Sequence, residues 1–134
     1  MNLHILDTDT CILWFKGNPV VQTHVLRAGT KLLAVTTVTV AELFDGAYRS
    51  PYAVNEVRET DKFLRPLQVL PFTWEAARRF GAIRARRGSK PDPKHNFDLM
   101  NASIALVRRD TLVTNNTKDY RGLRGLKVVN WAKL

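Results

Sequence analysis

Only one cysteine, Cys11, occurs in the 134 residues, so no internal disulfide can staple the chain. A small buried thiol in a reducing compartment is its simplest reading. The three histidines, His4, His24 and His95, fall at no zinc-type spacing, which argues against a zinc site. No apolar run approaches the roughly 20 residues that span a bilayer. The N-terminus also lacks a basic stretch followed by an apolar core and cleavage site. A cytoplasmic protein, neither secreted nor inserted in a membrane, is expected. No composition shift is long enough to be an interdomain linker, and no internal repeat is visible. With 45% hydrophobic residues, the chain is expected to form a single domain over 1–134. Acid is the scarce charge: 12 Asp and Glu stand against 21 Lys and Arg, a net charge of +9. Such a field favours polyanions, of which nucleic acid is the commonest in a cell.

Because acids are few, their positions carry information. Leu3-His4-Ile5-Leu6 is short enough for a strand and runs straight into Asp7-Thr8-Asp9-Thr10, with the apolar run Cys11 to Phe15 behind it. In an open α/β sheet, ligands bind just beyond the carboxyl ends of the strands, where Asp7 would stand. Asp9 is expected to cap the helix that follows. Val20 to Ala28 reads as a second short helix ended by Gly29, and Lys31 to Thr36 as a strand. Thr39 and Glu42 fit a capping box with Val38 and Leu43 as its hydrophobic staple, which would put Glu42 in a first helical turn.

Tyr52 to Leu64 reads as a charged amphipathic helix with Val54, Val57, Phe63 and Leu64 facing inward. Pro66 to Pro71 reads as a short strand. Thr73 then starts a helix on which Trp74, Ala77, Phe80 and Gly81 have the spacing of a core stripe. Arg84, Arg86, Arg87 and Lys90 cluster at its end, where cations suit the helix dipole and can also contact RNA phosphates. After a loop over 88–93, Asn96 is read as the cap of a helix with Asp98 in its first turn and Leu99, Ala102, Ser103 and Leu106 on one buried face. Thr111 to Thr114 and Leu126 to Val129 complete the strands, with Asp119 in the turn between them.

Each acid alone can be explained as a cap or a dipole partner. Together, Asp7, Glu42, Asp98 and Asp119 recur at the ends of strands and the starts of helices. In a parallel sheet with right-handed crossovers those points share one edge. Several carboxylates at one edge need a cation, and an all-oxygen donor set points to Mg²⁺ or Mn²⁺. A basic exterior with clustered acids inside it is what a metal-dependent nuclease needs.

The same segments resemble those of the PIN-domain ribonucleases and, within them, the VapC toxins of toxin–antitoxin pairs. The likeness is carried by Leu6-Asp7-Thr8-Asp9, by Thr37 to Leu43 with Gly46-Ala47, by Phe97-Asp98 with Ala102, and by Leu112 to Tyr120. It implies a three-layer α/β/α fold around a central parallel sheet of about five strands. It also implies Mg²⁺- or Mn²⁺-dependent hydrolysis of tRNA or rRNA, a cognate antitoxin partner and a homodimer. Carried over residue by residue, the resemblance makes Asp7, Glu42 and Asp98 the catalytic, metal-binding carboxylates, with Asp119 in the final acidic motif. Thr8, Thr114 and Asn116 become candidate supporting groups. The chain departs from the pattern at Asn116, where many members carry an acid, and at Asp9, where many carry a less acidic residue.

Two other classes compete. Asp7-Thr8-Asp9-Thr10 is similar to the opening motif of haloacid-dehalogenase-like phosphohydrolases, in which the first Asp is a covalent nucleophile. That class carries a later acidic pair where this chain has Asn115-Asn116. A non-catalytic RNA-binding module would explain the charge but leaves the placed carboxylates without purpose.

Overall fold

The computed structural model describes residues 2–87 and 93–133; Lys90 and nearly all of the loop expected over 88–93 lie outside them. Five short strands, β1 (His4–Leu6), β2 (Leu33–Thr36), β3 (Gln68–Leu70), β4 (Thr111–Val113) and β5 (Lys127–Val129), form one sheet in the order β3-β2-β1-β4-β5. Every pairing is parallel, with His4 opposite both Leu33 and Thr111 and Leu6 opposite Val113.

Strand side chains alternate between the two faces of a sheet, so a strand covered on both sides is apolar at every position. The inner positions of β1, β2 and β4 follow this. Ile5, Ala34, Leu70 and Leu112 enter one core, while Leu6, Leu33, Val35 and Val113 enter the other. The second core is closed by α1 (Thr8–Phe15), α2 (Pro19–Ala28), α3 (Thr37–Arg49) and α4 (Ala53–Leu64), through Cys11, Val21, Val25, Leu43 and Leu64. The first is closed by α5 (Trp74–Arg87) and α6 (Pro93–Arg108), whose Ala76, Ala102 and Ala105 are small enough to let both helices lie close. The three-layer α/β/α architecture therefore follows from a two-residue alternation. Among the described residues, no helix is long and apolar enough to cross a membrane.

The chain steps from β1 through β2 to β3 on one side of the sheet, then returns to lay β4 and β5 on the other. The crevice at such a reversal, beyond the carboxyl ends of the strands, is the ligand position of open parallel sheets. Asp7 follows β1 and Thr114 follows β4, so these two residues flank it.

Several local expectations are corrected. Asp7, not Asp9, caps α1: its Oδ1 accepts from the Thr10 amide at 2.8 Å. Helix α3 opens three residues earlier than expected, capped by Thr36, whose hydroxyl accepts from the Thr39 amide at 3.1 Å. The Thr39–Glu42 capping box does not form, because the strand delivers Thr36 to the helix mouth first. Helix α6 starts at Pro93, so Asn96 lies inside it and Asp98 falls beyond its first turn. On α5 the buried position is Ala76, while Trp74, Ala77 and Gly81 are exposed and the Trp74 ring carries the Arg78 guanidinium 5.9 Å from its centre. Val54 is also exposed, near the tip of the α3–α4 hairpin with Tyr48 and Tyr52, where no core remains to cover it.

Candidate active site

Asp7 stands at the end of the central strand and is only 4% exposed. Its backbone amide donates to Val113 O at 3.0 Å, which locks it to β4, and the Thr10 hydroxyl donates to the same carbonyl at 3.2 Å. Burial raises the Asp7 pKa above the ordinary carboxylate value; hydrogen bonds from Thr114 and Thr10 pull it partly back, and the neighbouring Asp9 charge pushes it up again. Glu42 is half-buried on α3 and accepts from the Thr8 hydroxyl at 2.7 Å. Its pKa is raised by burial first, against the Thr8 hydrogen bond, and then by the charges of Asp9, Asp7 and Asp45. Asp98, half-buried on α6, is pushed up to about 6 by burial and then by Asp7, Glu42, Asp9 and Asp119 in that order.

These effects locate the acids. Asp7, Glu42, Asp98 and Asp119 come from four separate elements, and the charges of the other three all act on Asp98 at one edge of the sheet. Asp9 belongs with them. Sequence reasoning assigned it to capping, but the cap is filled by Asp7, and the Asp9 charge acts on Asp7, Glu42 and Asp98. Asn116 Nδ2 donates to Asp9 Oδ2 at 3.5 Å, which ties the turn after β4 to the start of α1. Thr114 is fully buried and accepts from the Asn116 amide at 3.0 Å.

Tyr120 was also missed. It is 5% exposed, and its hydroxyl is buried without a hydrogen-bond partner. Burial raises its pKa, followed by the charges of Asp98, Asp7 and Asp119, so the phenol lies beside the acids. A buried orphan donor is costly unless a ligand or water satisfies it. The only sequence signal was its place directly after Asp119.

A hydrogen-bonded chain behind the acids was not legible either. The Thr36 hydroxyl donates to Asn101 Oδ1, and Asn101 Nδ2 donates to the Thr39 hydroxyl at 3.1 Å. The Thr39 and Thr8 hydroxyls lie 3.2 Å apart. Each hydroxyl has one proton, and that of Thr8 is directed to Glu42, so Thr39 is left to donate to Thr8. The chain thus runs from α6, one turn beyond Asp98, to the Glu42 carboxylate. Replacing Asn101 with Leu removes two buried partners at once and is expected to cost about 2 kcal/mol. Urea unfolding of the metal-free protein measures it; a loss below about 0.5 kcal/mol would show that the chain adds little.

The residues fit a hard divalent cation. The donors are all oxygen, three of the carboxylates have raised pKa values that a nearby positive charge would reverse, and an unpartnered hydroxyl lies beside them. Among the described residues, no three His, Cys, Asp or Glu side chains converge tightly enough to form a complete protein cage. A cation that keeps several waters and takes only one or two carboxylates does not require such a cage.

The candidate RNA-contacting arginines divide. Arg86 and Arg87 are exposed, and Arg87 donates to the Arg121 carbonyl at 3.4 Å, while Arg84 is half-buried.

The PIN domain model matches residues 5–123. The chain is 30% identical over 127 residues, 95% of its length and 96% of the relative's, to the tRNA(fMet)-specific endonuclease VapC of Salmonella typhimurium. It is 29% identical over 133 residues to Ribonuclease VapC2 of Rickettsia felis, covering 98% and 99% of the two chains. Among solved structures it is similar to a chain of the DNA-bound VapBC of Salmonella typhimurium, with a TM-score of 0.85, 30% identity, and coverage of 98% and 99%.

Proposed function

Because this chain belongs to the PIN-domain family, we propose that it is a metal-dependent endoribonuclease and the toxin of a toxin–antitoxin pair. The observation that carries the proposal is the set of mutually repelling acids at the switch point of a chain whose net charge is +9. Without a cation those acids would repel the phosphate that the rest of the surface attracts.

Asp7 and Asp98 would hold the ion, Mg²⁺ or Mn²⁺, with Glu42 and Asp119 orienting its waters and Asp9 at the margin. When bound, such an ion supplies a water of lowered pKa and screens the approaching phosphate. The chain's own residues orient the acids. The Thr10 amide fixes one oxygen of Asp7, and Thr8 fixes one oxygen of Glu42. Both carboxylates therefore enter the reaction without having to search for an orientation. Tyr120 and Asn116 would place waters or a phosphate oxygen, and buried Thr114 would hold Asn116 in position. Arg86 and Arg87 would contact phosphates flanking the cut. A cleft of about 280 Å³ bordered by Ile12, Phe15, Leu43 and Ala47, with Glu42 on its rim, offers an apolar seat for an antitoxin segment beside the acids. Residues 1–134 would act as one domain, in the cytoplasm, on tRNA or rRNA.

Neither competing class gains support. The phosphohydrolase class carries a later acidic pair, where this chain has Asn115-Asn116. A passive binding module does not explain why acids are concentrated where phosphate would lie.

The purified chain is expected to cut bulk bacterial tRNA in Mg²⁺ or Mn²⁺, to stop on addition of EDTA, and to resume when the ion is restored in excess. Gel analysis of end-labelled RNA reads the outcome. Cutting that persists in EDTA, in a preparation whose Asp7→Asn counterpart is inactive, would reject metal-dependent hydrolysis.

A further inference from the structure

The cations of this chain are not spread evenly. A groove of about 470 Å³ is bordered by Arg79, Arg86 and Arg87 of α5 and by Arg124 in the segment before β5, over a floor of Ile83, Leu106 and Leu123. A second groove, of about 440 Å³, shares Arg79, Leu106 and Arg124 and continues to Arg109 and Lys127. The two form one channel. Its six cations are exposed, and among the described residues none is in an ion pair. The acid on its border, Asp110, is already held by Arg108 at 2.7 Å and by the Leu3 amide at 2.8 Å. At one end Arg87 donates to the carbonyl of Arg121, directly after Asp119 and Tyr120. At the other end Arg109 and Lys127 stand where β4 and β5 begin, at the opposite edge of the sheet.

Arg109 supplies an independent observation. Helix α6 stops in a turn where the Asp110 amide donates to Ala105 O at 3.0 Å and the Arg109 amide to Leu106 O at 3.3 Å. This is the bond pair of a helix stop whose left-handed residue is usually glycine. Here that residue is Arg109, at φ +62°, the one non-glycine with positive φ among the described residues. A cation stands where the backbone disfavours any side chain, and it borders the channel. Such strain persists where the surrounding structure uses it.

We propose that this channel is a track for the phosphate backbone of the RNA beyond the bond that is cut, an inference that rests on the nuclease reading above. Arginine forks match phosphate oxygens in pairs. The floor is aliphatic and offers no ring on which a base could stack, so the contact is to backbone and carries little sequence preference. From Arg79 to Arg87 the helix alone spans about 12 Å, enough for several phosphates. A second copy of the chain does not suit this face, since two such channels would repel each other.

The test measures binding of bulk tRNA in EDTA, where nothing is cut, as a function of salt. The double reversal Arg79→Glu with Arg124→Glu is expected to weaken binding about tenfold or more at 0.1 M salt and to lower the slope of log affinity against log salt by about 1.5. Arg27→Glu with Lys31→Glu, the same charge change on the α2 side, is expected to leave most of the slope intact. Equal losses from both pairs would reduce the effect to net charge and overturn the track. An unchanged slope in the channel variant would also overturn it and assign the surface to a protein partner. Arg109→Gly is expected to raise the melting temperature while lowering the slope by the share of one phosphate; gained stability with the full slope retained would remove Arg109 from the track. Failure of the nuclease reading looks different: no cutting in Mg²⁺ or Mn²⁺, whatever the slope.

Discussion

Asp7→Asn and Asp98→Asn are each expected to reduce RNA cleavage by about 10³-fold or more while leaving the protein folded. Loss of several kcal/mol of charge stabilisation at the scissile phosphate has that consequence for the rate. The structure makes the comparison clean at Asp7. Its Oδ1 caps α1 through the Thr10 amide, and Asn caps as well as Asp does. The substitution therefore keeps the cap and the side-chain volume and removes only the charge. Asp98 lies beyond the first turn of α6, so a dipole role no longer competes with a ligand role there. Thermal melting of the metal-free variants should be unchanged or higher, because each removes one member of a repelling group. Added Mn²⁺ should stabilise the wild type and have little effect on either variant. Near wild-type cleavage by Asp7→Asn or Asp98→Asn would sink the mechanism. Cleavage lost together with a collapsed melting temperature would mean that the charge is structural.

The second large effect is on pH. Asp98 is raised from the ordinary 3.8 to about 6, and Asp7 and Glu42 are raised in the same direction. Between those two values the folded, metal-free protein binds a proton at Asp98 that the unfolded chain does not. The resulting stability is fully present below about pH 4 and is lost as pH rises through about 6. The metal-free protein should accordingly melt at a higher temperature at pH 5 than at pH 7 as far as these acids are concerned, and Asp98→Asn should flatten the difference. Metal binding has the opposite dependence, since proton and cation compete for the same oxygens. Apparent Mn²⁺ affinity should fall roughly tenfold for each pH unit below about 6. Titration of Mn²⁺ by electron paramagnetic resonance at pH 5, 6 and 7 reads this directly. An affinity flat across that range would place the ion away from Asp98.

The strands and the four acids were legible because each leaves a local trace. A short apolar run ending in Asp, or an acid near a helix start, can be seen without knowing what packs against it. The errors arose where two residues competed for one local role. Asp7 and Asp9 can both cap α1, and Thr36 and Thr39 can both cap α3; only the exit direction of the preceding strand decides between them. Taking Thr39 for the cap gave Glu42 a structural partner it does not have and hid its hydrogen bond to Thr8. Helical spacing made Trp74, Ala77, Phe80 and Gly81 look like a core stripe, whereas α5 fully buries only Ala76, half-buries Phe80 against Phe72, and leaves the other three exposed. The channel was invisible for a different reason. Arg79, Arg109, Arg124 and Lys127 are scattered in sequence among cations of no particular role, and only the return of the chain from β4 to β5 brings them together.

The hydrogen bond from the Leu3 amide to Asp110 joins residues 107 positions apart and closes the central strand against β4. Parallel pairings at such separation form slowly, since the intervening chain must first be ordered. During synthesis β1 waits, with one edge uncovered, until β2, β3 and six helices have been made. Two of the four principal acids, Asp98 and Asp119, arrive only at the end of that interval. The cluster of acids therefore cannot assemble before α6 and β4 have been made and have docked on the central strand.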